Sequence, residues 1–204
     1  MLRHAFIPPS LILLSATLSA CSHAPDRTQT TQGLATMAPT TSQITPAAPL
    51  DAEQLLVRLL DLIQATSSAS ELTVERVSAA MRESARTFAP GHFGYGGALT
   101  PEWSYGLEVK HAGTADARLD LNFIDTSPRQ KAPATAICHM DFDRFASALD
   151  AAGFTRQTVR GEHGRTIYDR FDRSQLSIKV DTIPEHPEAT GEALHACIRL
   201  VTVQ

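Results

Sequence analysis

Between Ile63 and Trp103 the apolar residues change period, and this change limits the possible folds more than any other feature of the chain. Before it, Ala52, Leu55, Leu56, Leu59, Leu60 and Ile63 recur at the spacing of an amphipathic helix, with Glu53, Arg58, Asp61 and Gln64 on the other side. After it, Trp103, Tyr105, Leu107 and Val109 alternate with Ser104, Gly106, Glu108 and Lys110, and Leu119, Leu121 and Phe123 alternate with Asp120 and Asn122. Alternation of that kind describes antiparallel strands with one apolar face. Both periods in one chain, segregated along it, predict an α+β fold: N-terminal helices, then a mainly antiparallel sheet with one inserted helix.

The remaining elements follow from local signals. Asp51 is placed to cap the first helix, and a second begins near Ser70 or Thr73, with Val74, Val77 and Met81 on one stripe and no clear end before Pro90. The stretch "GHFGYGG" at 91–97 reads as a glycine-rich loop. Strands 103–109 and 119–123 are joined around Gly113, and a third strand is expected from Thr135 to Met140. Asp141 then caps a helix from Phe142 to Ala152 that stops at Gly153, with Met140 and Phe145 spaced as a hydrophobic staple. Strands at Thr155–Arg160, Arg165–Phe171, Gln175–Ile183 and Ala196–Val203 complete the sheet, with turns at "GEHG" (161–164) and near Asp172–Ser174. No internal repeat is visible, so residues 50–204 are expected to form one domain.

The first 49 residues have another character. A basic start at Arg3, an apolar run ending at Leu11–Leu14 and small residues before Cys21 make a secretory signal, far shorter than the roughly 20 apolar residues that span a bilayer. Leu18-Ser19-Ala20-Cys21 resembles the lipobox of bacterial lipoproteins. That resemblance implies cleavage after residue 20, a diacylglyceryl group on the Cys21 sulfur and acylation of the new amino group, hence a membrane anchor; the alternative is an ordinary signal followed by a chance cysteine. Ser22, where aspartate favours inner-membrane retention, implies the outer membrane, facing the periplasm. From Ser22 to Pro49 the chain is rich in Thr, Ala, Pro, Gln and Ser, with only Asp26 and Arg27 charged, and reads as a disordered tether about 30 Å long on average.

With Cys21 lipidated, Cys138 in "AICHM" and Cys197 in "HACIR" remain, and an oxidising compartment favours a disulfide between them over two buried thiols. The run "CHMDFD" gathers Cys138, His139, Asp141 and Asp143, but on a strand Cys138 and His139 diverge, and the aspartates suit a helix start. No metal site, cofactor or catalytic residue is assigned: the zinc-protease, Gly-x-Ser-x-Gly, Ser-x-x-Lys and Walker patterns do not occur, and "GYGGAL" has Leu99 where a dinucleotide fingerprint needs its third glycine.

One segment stands out as a candidate protein-binding surface: residues 156–173, "RQTVRGEHGRTIYDRFDR", with Arg156, Arg160, His163, Arg165, Tyr168, Arg170 and Arg173. The alternative is a soluble hairpin whose arginines pair with Glu162, Asp169 and Asp172. A net charge of −4 argues against a nucleic-acid partner. The expected function is a membrane-anchored lipoprotein that binds a periplasmic or incoming protein, as an inhibitor or immunity protein against an envelope-attacking toxin or hydrolase. Two rivals are envelope assembly or maintenance, and a cell-wall hydrolase. For the first, "LTVERVSAAM" at 72–81 resembles the helix in the small lipoprotein of the outer-membrane β-barrel assembly machine.

Overall fold

Among the described residues, three α-helices and eight strands follow one another in an order that repeats. The structure is a computed structural model and describes residues 50–186 and 195–204. The expected signal, Cys21 and the tether lie outside the described residues. Helices α1 (Ala52–Gln64) and α2 (Val74–Met81) lead into β1 (Arg86–Ala89), β2 (His92–Ala98), β3 (Trp103–Lys110) and β4 (Arg118–Asp125). Helix α3 (Phe142–Ala151) leads into β5 (Thr155–Arg160), β6 (Thr166–Arg173), β7 (Leu176–Pro184) and β8 (Ala196–Val203). Each half is an antiparallel meander, and the halves join through their last strands, giving the order β1-β2-β3-β4-β8-β7-β6-β5. The fold is α+β, with helices first and one helix inserted between the halves of an antiparallel sheet.

Side-chain oxygens start all three helices. Asp51 Oδ1 accepts from the Gln54 N–H at 2.7 Å, Thr73 Oγ1 from Arg76 at 3.3 Å and Asp141 Oδ1 from Arg144 at 2.9 Å. Each satisfies a donor that the first turn leaves without a carbonyl. Helix α2 ends at Met81 because Arg82 turns left-handed at φ 56°.

Register determines what the sheet buries. One rung, Thr87, Phe93, Val109, Leu119, Val203, Ile178, Phe171 and Arg156, crosses all eight strands. From Phe93 to Phe171 every member is apolar and buried, in one cluster with Leu55, Leu56, Leu59 and Ile63 of α1 and Phe145 and Leu149 of α3. The helices therefore cover this face, and Met140 and Phe145, spaced as a staple at the start of α3, are both buried.

At the β5 end of the core, cations take over from apolar side chains. The Arg156 guanidinium lies 4.6 Å from the centre of the Phe142 ring and donates from Nε to Asp169 Oδ1 at 2.9 Å, while the Thr158 hydroxyl donates to the same oxygen at 2.6 Å. Arg173 clamps the C-terminal ends of two helices. Its Nη1 donates to the Ala152 carbonyl at 3.0 Å, and its Nη2 to Ile63 at 3.1 Å and Thr66 at 2.8 Å, with the guanidinium 4.3 Å from the Phe154 ring centre. A cation suits helix C-terminal carbonyls that lack N–H partners.

Three expectations are corrected. All of "GHFGYGG" after Gly91 belongs to strand β2, which with β1 extends the sheet by a hairpin; its glycines carry no side chains to reveal the alternation. Residues 135–140 are not a strand: Ala134–Ile137 form a short 3-10 helix leading to Cys138. The β6–β7 turn is tighter than expected, with β6 continuing to Arg173 and the chain reversing at left-handed Ser174 (φ 50°).

Cys138 and Cys197 are joined, their sulfurs 1.98 Å apart across a separation of 59 residues, which ties the linker before α3 to central strand β8. Changing both cysteines to alanine is expected to lower unfolding free energy by about 4 kcal/mol, from loop-closure entropy, in urea titrations. Arg173→Ala is expected to cost about 3 kcal/mol by the same measurement, because three backbone acceptors lose a charged donor. Arg173→Lys should restore little, since one ammonium lacks the planar fork that reaches both helices.

Candidate functional site

The face of the sheet away from the helices carries a second rung across all eight strands: Arg86, Gly94, Glu108, Asp120, Thr202, Lys179, Arg170 and Gln157. Apart from Arg86, which lies over the Phe88 ring, its charges sit in local pairs. His92 Nε2 lies 2.6 Å from Glu108 Oε1, and Lys110 Nζ lies 3.2 Å from Oε2. Arg118 donates from Nε and Nη2 to Asp120, which also accepts from Thr202 Oγ1 at 2.6 Å. Arg170 Nε lies 2.9 Å from Asp172 Oδ1, and Lys179 Nζ lies 4.5 Å from the Tyr168 ring centre.

The neighbouring rung, Gly96, Gly106, Asn122 and Leu200, is nearly bare at its β2–β3 end. There the face is hollowed into a groove of about 440 Å³, walled by Phe88, Ile124 and Leu200 and edged by Glu108, Arg118 and Asp120. Phe88 and Ile124 are 53% and 43% exposed, and Leu119, Leu121 and Phe123 of the strand that carries Ile124 are buried. A second hollow of about 380 Å³, involving Trp103, Ile183 and Arg199, adjoins it and shares Asn122 and Ile124.

Two glycines serve this groove differently. At Gly106 an added Cβ meets nothing within 4 Å, whereas at Gly94 it would lie 2.5 Å from the Leu107 carbonyl oxygen and 3.1 Å from the Phe88 ring. Gly94 lets the Phe88 ring lie against the sheet; Gly106 leaves the floor open.

The expected hairpin surface divides by face. Arg156 and Arg173 turn toward the helices and are engaged by Asp169 and by helix carbonyls. Tyr168 and Arg170 lie on the open face beside Lys179 and Asp172. Arg160, His163 and Arg165 stand at the hairpin tip. Pairing with acidic partners therefore accounts for Arg156 and Arg170.

Sequence reasoning missed Phe88, Gly106, Asn122, Ile124 and Leu200. A signal existed for one of them: Ile124 is an apolar residue on the polar phase of the otherwise alternating β4. Cys138 is committed to its disulfide and Asp141 to capping α3, and among the described residues no three His, Cys, Asp or Glu side chains are placed to hold a metal ion. No helix among them is long and apolar enough to cross a membrane. Set against protein-family models, curated proteins and solved structures, the chain matches none.

Gly94→Ala is expected to lose about 1–3 kcal/mol of stability through overpacking, and Gly106→Ala to gain about 0.5–1 kcal/mol by stiffening a strand; thermal melts of the pair check both. The Glu108 carboxyl is held below its ordinary value, chiefly by its hydrogen bond from His92. A folded value below the unfolded one means that its stabilisation is complete above about pH 4.3, the unfolded value, and is lost as pH falls through the folded value. His92→Ala is expected to bring the Glu108 titration back up, followed by carboxyl-carbon NMR.

Proposed function

We propose that this chain is a lipid-anchored, periplasm-facing lipoprotein of the outer membrane that holds another protein against the open face of its sheet, as an inhibitor or immunity protein does against an envelope-attacking toxin or hydrolase. The observation that carries this reading is the one-sided packing of the sheet. Helices cover one face, while the other presents fixed charge pairs around a glycine-floored groove between Phe88 and Ile124. Exposed apolar side chains ringed by polar ones form the anatomy of a protein interface.

The lipobox resemblance at Cys21 supplies the anchor and the compartment, and the Thr/Pro-rich segment supplies reach. A hydrolase reading draws less support from the same groove. Its Glu108 is held ionised by His92, whereas an acid catalyst needs a carboxyl whose pKa is raised.

The test is affinity capture with the full-length lipoprotein from the envelope and secreted fractions of a producing strain, alongside Gly106→Trp, which fills the groove from a position with room for a side chain. A stoichiometric secreted toxin or hydrolase is expected on the wild type, with retention falling about tenfold on the variant. Resident assembly or wall components would instead assign the protein to envelope maintenance. Undiminished retention by Gly106→Trp would move the partner off this face.

A further inference from the structure

We infer that the tip of the β5–β6 hairpin, from Arg160 to Ile167, is an anchor that enters a carboxylate-lined cleft on the partner protein; this rests on the binding function proposed above. Ile167 is the extra residue of a β-bulge. Val159 pairs with Tyr168 and Arg160 with Thr166, which leaves Ile167 without an opposite residue. A bulge re-aims the side chain it carries, and Ile167 is 50% exposed. It lies across the turn: an added Cβ at Gly161 would stand 2.9 Å from Ile167 Cδ1 and 3.1 Å from Cγ1, so the glycine leaves the isoleucine its room there.

The turn beneath is built to hold its shape. His163 sits in the left-handed region (φ 60°, ψ 21°), and Gly164 follows it there. Gly161 N–H donates to the Arg165 carbonyl at 2.8 Å, Gly164 N–H to the Gly161 carbonyl at 3.3 Å, and Arg160 Nη1 to the Gly164 carbonyl at 3.0 Å. A non-glycine residue in this conformation costs energy that the surroundings must offset, and such positions cluster where a surface is used.

Charge identifies the occupant. Lower in the hairpin, Arg156 is paired with Asp169 and Arg170 with Asp172. At the tip, Arg160 and Arg165 form no ion pair among the described residues, and Glu162 is the one acidic side chain between them. The chain as a whole carries −4, so this positive tip runs against its net charge. Guanidinium groups take carboxylates in bidentate fashion, and an exposed isoleucine on the same hairpin tip calls for a recess to desolvate it. A cleft with two carboxyl groups about 5 to 9.5 Å apart, as in enzymes that cleave glycans, has that chemistry.

The test places a photo-cross-linking benzophenone amino acid at Ile167, at Phe88 on the groove wall or at the exposed α1 residue Val57, one at a time, in the full-length lipoprotein in producing cells. Expected is attachment from 167 to the same protein that 88 reaches, at peptides bearing Asp or Glu. Arg160→Glu with Arg165→Glu should cut the 167 adduct by about tenfold, and the double lysine variant, which keeps the charge without the planar fork, should cut it less. Attachment from 88 without attachment from 167, or a 167 adduct indifferent to charge reversal, would overturn the tip as anchor while leaving the proposed function standing. Attachment from neither 88 nor 167 would remove both, and attachment from 167 to lipid alone would replace the protein cleft with a membrane surface.

Discussion

Packing of alternate strand residues against three short helices holds the two halves of this molecule in one body. The apolar rung from Phe93 to Phe171 passes without interruption from the first meander into the second, through Leu119 of β4 and Val203 of β8. Because strand side chains alternate, this burial dictates the composition of the opposite face. Whatever lies between the buried residues must be tolerable in water, and here it is glycine, asparagine and paired charge. The groove is thus a by-product of one-sided packing that two out-of-phase apolar residues, Ile124 and Leu200, make adhesive.

Arginine shows how one residue type divides its work by register. Arg156 and Arg170 both belong to the β5–β6 hairpin, yet Arg156 stacks over Phe142 beneath the helices while Arg170 stands among the charges of the open face. Arg173, on the helix side, spends its donors on the carbonyls of Ile63, Thr66 and Ala152 and so aligns α1 with α3. Half-buried guanidinium groups let the core end at the β5 edge without a wall of large apolar side chains, which a short edge strand could not have covered.

Sequence periodicity disclosed α1, β3 and β4, because Leu55, Leu59, Leu107 and Leu121 report burial at the spacing of their own element. It concealed β1 and β2, where Gly94, Gly96 and Gly97 replace the residues that would have alternated and Thr87–Ala89 is wholly exposed at the edge. Residues 135–140 misled for the opposite reason: Ile137 and Met140 are buried, but by a 3-10 turn and a helix approach whose short apolar run mimics a strand. The site was legible in part. The tip arginines stood out by their density, but which arginines face the helices depends on strand register, and no local pattern states a register between strands as distant in sequence as β4 and β8.

The position of β8 gives the molecule an order of events. A chain made from its N-terminus onward delivers α1 to β4 first and β8 last, yet β8 is the strand that lies against β4 in the middle of the sheet. Until residues 196–203 arrive, the first meander carries an open inner edge with Leu119 and Leu121 beside it, a template for pairing with the wrong chain. Cys138 waits for the same segment, since its partner Cys197 arrives on it. The final strand thus acts as a latch, and the loss of a few residues there would leave two half-sheets with no common seam.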